Sequence, residues 1–294
     1  MALTFLSRLS EGVESRWLAA LADSLPNEKI TLGPDPDAEI AIVANPPPGA
    51  LAALPRLAFV QSAWAGVDGL LADPALPPVP LARLVDPGLA AQMAEAAAAH
   101  VLALHRQAPA YAAQAAQGLW RQLDQPPARA RRVGFLGHGE LARASANLLQ
   151  DIGFQVDAWS RSHGDLPALL AHSDIVVNLL PLTAQTRGVL GAATFARMKR
   201  GAAIVNLARG AHLVEPDLLA ALADGTLSHA ILDVFETEPL PPGHPFWRHP
   251  QITVLPHVAA ITDPVSASAF IAANITRFRN GQPLQGLVNR QAGY

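Results

Sequence analysis

The sequence holds 294 residues, half of them apolar and 15% charged, with a formal net charge of −3 and no cysteine. That size suggests two domains with substantial cores, and the near-neutral balance argues against a nucleic-acid or anionic-membrane partner. The lack of thiols excludes disulfides, cysteine nucleophiles and cysteine-ligated metals. The opening residues MALTFLSRLS lack the basic region and long apolar stretch of a secretory signal, and no uncharged apolar run reaches membrane-spanning length, so the expected address is the cytoplasm.

The 26 prolines punctuate the chain, with clusters at Pro46-Pro47-Pro48, Pro77-Pro78, Pro126-Pro127 and in segment 239–242 that read as loops. Between them, short apolar runs predict strands at 39–44, 57–61, 132–136, 155–159, 174–179, 202–207, 229–234 and 252–255. Alanine-rich segments of helical length separate these runs. Strands alternating with helices imply parallel sheets wound by right-handed crossovers, the α/β class. A long helix over 88–107 precedes the proline break at 126–127 and reads as a connector between domains, and a second long helix over 264–280 stops at Gly281.

The stretch from Arg132 to Ala144 predicts a strand, a tight glycine turn and the start of a helix. Gly137 permits the turn, Gly139 lets the backbone approach a pyrophosphate, and Ala142 keeps helix and strand close. The helix N-terminus then offers free amides and a positive dipole end to phosphates. The same glycine pattern also occurs in ordinary tight turns. NAD sites usually carry an acid at the end of the next strand, but here that strand runs into Trp159-Ser160-Arg161-Ser162. A charge-assisted bond from Arg161 is worth roughly 1.5–3 kcal/mol, about ten- to a hundredfold in affinity, which favours a phosphorylated ribose. NADP(H) is therefore the expected cofactor, with NAD(H) the other candidate. Asp157 is the competing acid, set two or three residues before the strand end, and strand alternation leaves its direction open. The alternative for Arg161 and Ser162 is a solvated turn.

Three later segments each carry one ionisable residue: Val205-Asn206-Leu207-Ala208-Arg209-Gly210, Leu232-Asp233 through Glu238-Pro239, and Pro256-His257-Val258. Alone, each of these residues reads most simply as a surface charge or a helix cap. Together, in this order behind a nucleotide motif, the sequence resembles the D-isomer-specific 2-hydroxyacid dehydrogenases over nearly its whole length. Supporting pieces are Ala65-Gly66-Val67-Asp68, Leu180-Pro181-Leu182-Thr183 and Thr262. The resemblance implies a Rossmann domain, 98–267, inserted into a flavodoxin-like substrate domain made of 1–97 and 268–294. It implies His257 as general acid, Glu238 as its partner and Arg209 as substrate anchor, with the substrate carboxylate held at Trp64, Ala65, Gly66 and Val67. It further implies cofactor contacts at Gly137, His138, Gly139, Glu140, Leu141, Ser160, Arg161, Ser162, Leu180, Pro181, Thr186, Leu207, Ala208 and Asp233, and pairing into a homodimer. The chemistry suits these residues. An imidazolium near neutral pH can protonate a keto oxygen, a neighbouring carboxylate keeps it charged, and a guanidinium fork matches a 2-keto carboxylate.

Within that family, Trp159-Ser160-Arg161-Ser162, the Pro46-Pro47-Pro48 loop and Gln61-Ser62-Ala63-Trp64 are similar to the bacterial glyoxylate/hydroxypyruvate reductases of the A type. That similarity implies NADPH-dependent reduction of glyoxylate to glycolate and hydroxypyruvate to D-glycerate. Asn45 stands where that subgroup carries a bulkier aromatic, so a larger keto acid such as phenylpyruvate is the alternative substrate. A dinucleotide-sensing scaffold like the C-terminal-binding co-repressors is the alternative of a different class. The remaining histidines show no metal-ligand spacing, and no metal is expected.

Overall fold

The computed structural model describes residues 2–294, which divide into two compact units, 2–89 with 262–294 and 90–261. The sequence-based boundaries at 97/98 and 267/268 lie inside helices, where an unbroken apolar pattern offers no punctuation.

The first unit is built from β1 (Ala2–Ser7), α1 (Glu11–Ser24), β2 (Ile30–Leu32), β3 (Ala38–Ala44), β4 (Phe59–Ser62), the short α2 (Asp68–Leu71) and β5 (Leu81–Ala82). Its sheet is parallel in the order β2-β1-β3-β4-β5, the flavodoxin-like arrangement. Along β3, Ile40, Ile42 and Ala44 enter one apolar cluster while Ala41 and Val43 enter another, as the two-residue period of a doubly covered strand requires. The first cluster takes Trp17 and Leu21 from α1.

The second unit begins within α3 (Pro87–His105) and continues through α4 (Ala108–Ala116), β6 (Arg132–Leu136), α5 (Glu140–Ile152), β7 (Gln155–Trp159), α6 (Leu166–His172), β8 (Ile175–Asn178), α7 (Ala192–Phe195), β9 (Ala202–Asn206), α8 (Glu215–Ala223), β10 (Leu227–Leu232) and β11 (Ile252–Val254). Its parallel sheet has the order β11-β10-β9-β8-β6-β7. Residues of α3 and α5 pack on one face with Val133, Phe135, Val177 and Val205, and residues of α6 and α8 pack on the other with Val176, Ile204 and Leu232. Burying each such side chain contributes about 1.5–3 kcal/mol before entropy is charged against it. Chain order reverses between β6 and β8, and in open parallel sheets ligands bind at that reversal, outside the carboxyl ends of the strands.

The chain closes with α9 (Pro264–Arg279), whose Ala267, Ile271 and Ile275 complete the first unit's cluster. Asp263 caps α9 by accepting from the amides of Val265 and Ser266, and Pro264 begins it at a position that needs no amide donor. Beyond α9, the amide of Arg83 donates to Gly286 O and that of Val288 to Leu81 O, so the terminal segment lies along β5. The eight strands expected from sequence are β3, β4 and β6 to β11. Three others, β1, β2 and β5, are too short or too weakly patterned to announce themselves.

His229 on β10 is buried and hydrogen-bonded to Thr253 Oγ1 at 2.9 Å. Burial, then the nearby His249, pushes its pKa down to about 4. The unfolded chain therefore binds a proton between about pH 6.5 and 4 that the folded chain refuses. The stability this residue contributes is present above that window and is lost as the pH falls through it. Thermal denaturation from about pH 7 to 4 should show a progressive loss of about 3 kcal/mol from this residue. The variant His229→Gln should have a flatter profile, and an unchanged slope would refute the assignment.

Candidate functional site

At the carboxyl edge of the second sheet, β6 ends in the glycine turn. Gly137 has φ +124°, and a Cβ there would stand 2.8 Å from Leu179 O, so only glycine lets this turn pack against the backbone after β8. Gly139 opens α5 without a side-chain cap, and a Cβ at this position would meet nothing within 4 Å. Gly139 gives no side-chain cap to the first-turn amides of α5, which include those of Glu140 and Leu141, and Ala142 is packed into the core. This uncapped helix start beside an open backbone fits a dinucleotide pyrophosphate.

The strand after the glycine turn decides where the acid points. Asp157 lies opposite Gly134, and its Oδ2 accepts from Arg132 Nη1 at 2.8 Å. Arg132 opens β6, so this carboxylate is turned toward the amino end of the strands. Past β7, Ser160, Arg161 and Ser162 form an exposed turn closed by backbone bonds between Ser160 and His163.

Behind β8 and β9 lies a buried network that sequence reading missed. Asn178 Nδ2 donates to Asn206 Oδ1 and to His212 Nδ1, both at 3.0 Å. Asn178 Oδ1 accepts from the amide of Leu180, and His212 Nε2 donates to Pro181 O. Asn206 accepts from the amide of Ala208 and donates to Arg209 O. Thr186 Oγ1 donates to Pro181 O at 2.7 Å. The expected cofactor residues Leu180, Pro181, Thr186, Leu207 and Ala208 thus sit on loops fixed by buried amides.

His257 and Glu238 are brought together: Nδ1 donates to Oε2 at 2.7 Å, while the other oxygen, Oε1, accepts from the amide of Phe235 at 2.8 Å. Neither is deeply buried, with side-chain exposures of 50% for His257 and 35% for Glu238. His257 takes a positive φ of 55°. Its loop is held by Asp233, whose buried carboxylate accepts from the amides of Val258 and Ala259 at 2.8 and 2.9 Å. The two oxygens of Asp233, one of the expected cofactor residues, anchor the residues that follow His257. Arg209 extends from β9, its Nη1 donating to Ala208 O. Gly210 then passes so close to the Glu238 loop that a Cβ would lie 1.8 Å from Phe235 C and 2.2 Å from Glu236 N.

In the first unit, Trp64 packs edge-on against Trp17 at 5.6 Å, its amide donates to Ser62 Oγ, and its carbonyl accepts from Leu84. Beside it lies a cavity of about 310 Å³ lined by Arg8, Asn45, Pro46, Trp64, Gly66 and Leu70 among others. Arg8 Nε donates to Asn45 O, and Asp73 accepts from the amide of Gly49, so the proline loop between is tied at both ends. Asn45 has φ +53°, a conformation its short amide side chain tolerates.

Residues 98–259 match the family model for the D-isomer specific 2-hydroxyacid dehydrogenase NAD binding domain. The chain is 43% identical to a glyoxylate/hydroxypyruvate reductase A of Serratia proteamaculans, over 95% of this chain and 96% of that one. It belongs to the D-isomer specific 2-hydroxyacid dehydrogenase family. Two solved members are close in structure. One, from Xanthobacter autotrophicus in complex with NADPH and MES, superposes with a TM-score of 0.95 at 38% identity, covering 100% and 99% of the two chains. The other, an NADPH-dependent glyoxylate/hydroxypyruvate reductase of Sinorhizobium meliloti in complex with NADP and sulfate, gives 0.93 at 36% identity over 100% and 99%. Among the described residues of this dehydrogenase, no helix is long and apolar enough to cross a membrane.

Gly210→Ala tests the contact between the Arg209 and Glu238 loops without any substrate. Forcing a methyl into that backbone should cost about 1–3 kcal/mol in urea denaturation. A stability equal to the parent's would show that the two loops are not in contact.

Proposed function

We propose that this dehydrogenase is a cytoplasmic, NADPH-dependent reductase of small 2-keto acids, converting glyoxylate to glycolate and hydroxypyruvate to D-glycerate. The hydrogen bond between His257 and Glu238 carries the reading. When bound, the reduced nicotinamide supplies a hydride to the keto carbon. The protein's task is to hold the keto acid and deliver one proton to its oxygen. With Nδ1–H held by Glu238, the opposite nitrogen of His257, Nε2, is the proton donor. The Arg209 guanidinium matches the substrate's carboxylate and keto oxygens, orienting and polarising the ketone.

For the cofactor, the supporting observation is Asp157 bound to Arg132 while Arg161 occupies the turn past β7. Relatives of known structure hold NADPH or NADP, which agrees with this choice. A larger substrate such as phenylpyruvate is the second reading, favoured by Asn45 on the wall of the cavity beside Trp64. Homodimer formation through the nucleotide-binding unit belongs to the same proposal, supported by Leu119 and Trp120, 45% and 97% exposed there.

Purified protein should oxidise NADPH rapidly with glyoxylate or hydroxypyruvate. His257→Gln should remove turnover by at least about a hundredfold while leaving NADPH binding intact. Binding of NADPH with no turnover across a panel of 2-keto acids would sink the enzyme reading in favour of a dinucleotide-sensing scaffold.

Arg161→Glu should weaken NADPH by about ten- to a hundredfold and leave NADH nearly unchanged in direct titration. Equal losses for both dinucleotides would refute the role given to this guanidinium.

A further inference from the structure

The turn after β7 brings a second titratable group to the glycine loop. The amide of Ser160 donates to His163 O at 2.8 Å and that of His163 returns to Ser160 O at 3.1 Å. This closure folds His163 back over His138, which stands between Gly137 and Gly139. The two imidazole rings are stacked, centroids 3.9 Å apart and planes within 6° of parallel. His138 and His163 thus join the pyrophosphate turn to the segment bearing Ser160, Arg161 and Ser162. The charge of Arg143 reaches His138, and Arg143 is paired with Glu140. Desolvation, then the charges of His163 and Arg143, hold His138 below the ordinary imidazole range.

We propose that the His138–His163 stack is a second, proton-dependent reader of the cofactor's ribose phosphate, so that preference for NADPH over NADH grows as the pH falls. This rests on the nucleotide site proposed above. In the free protein His138 resists protonation, held down by desolvation, by its contact with His163 and by the charge of Arg143. A phosphate dianion set against the stack reverses the balance and draws a proton onto it. Phosphate binding and proton binding then strengthen each other, as linkage requires. NADH lacks the phosphate and should bind without that proton.

The sign of proton exchange separates this from phosphate binding to arginine alone. A phosphomonoester, whose second pKa is about 6, sheds its remaining proton on meeting a fixed cation. A protonating stack takes one up. The test is calorimetric titration of NADPH and NADH without keto acid, in buffers of different ionisation heat, between about pH 6 and 8. Wild type should take up protons with NADPH and none with NADH, and the ratio of the two dissociation constants should rise by up to about tenfold per pH unit on acidification. The double variant His138→Phe with His163→Phe keeps two stacked rings without a proton site and should still prefer NADPH through Arg161, with the pH slope lost.

Proton release by wild type, a pH-independent ratio, or a wild-type slope in the double variant would overturn the proposal. NADPH binding with a flat ratio sinks this inference alone. Failure to bind either dinucleotide sinks the cofactor reading and this one with it.

Discussion

The functional edge of the nucleotide-binding unit depends on three buried polar side chains placed where its central strands end: Asn178 closing β8, Asn206 closing β9 and Asp233 just past β10. Asn178 and Asn206 hydrogen-bond backbone groups of the loops that follow them, and Asp233 holds those of the loop after β11. Leaving such groups unpaired in a low-dielectric interior is costly, so these loops have few alternatives to their present course. The residues proposed to act on cofactor and substrate stand directly on them. Leu180 and Pro181 follow Asn178, Ala208 and Arg209 follow Asn206, and His257 is tied to Asp233 through its two successors.

A contrast follows between a rigid base and accessible tips. Asn178, Asn206 and His212 are fully buried, whereas the His257–Glu238 pair is partly open to water. Glu238 divides its oxygens, one fixed by the Phe235 amide and the other holding the imidazole. A carboxylate anchored in this way orients the ring with little entropy left to lose. Gly210 adds the remaining constraint, since its missing side chain is what lets the loop after β9 touch the loop carrying Glu238.

Much of this was legible because it is local. The strands β6 and β7 coincide with the apolar runs that predict them, and the glycine turn between β6 and α5 is punctuated by residues whose backbone freedom the turn requires. Glu238 and His257 could be paired only through a resemblance, since nothing in their spacing brings one to the other. What stayed hidden has no period. An asparagine at a strand end reads as loop polarity, so the network of Asn178, Asn206 and His212 gave no signal. Asp157 could not be aimed from sequence, because its direction depends on Arg132 in the neighbouring strand. The stack of His138 on His163 likewise depends on how a turn closes. The first division between the units lies within α3, a helix whose composition does not change where the contacts do, and the second lies just before α9.

The first unit is assembled from two distant stretches of chain. Ala267, Ile271 and Ile275 of α9 fill the cluster that Trp17 and Leu21 begin, Asn274 Nδ2 donates to Gln61 Oε1 at 2.8 Å in the interior, and segment 286–288 lines β5. On the ribosome, β1 to β5 emerge early yet must wait for α9, which is made only after all of 90–261. The inserted unit can mature during that interval, while the half-built sheet keeps apolar surface uncovered. Nascent-chain quality control would therefore meet this protein at its amino-terminal strands, and their exposure time is set by the length of the insertion.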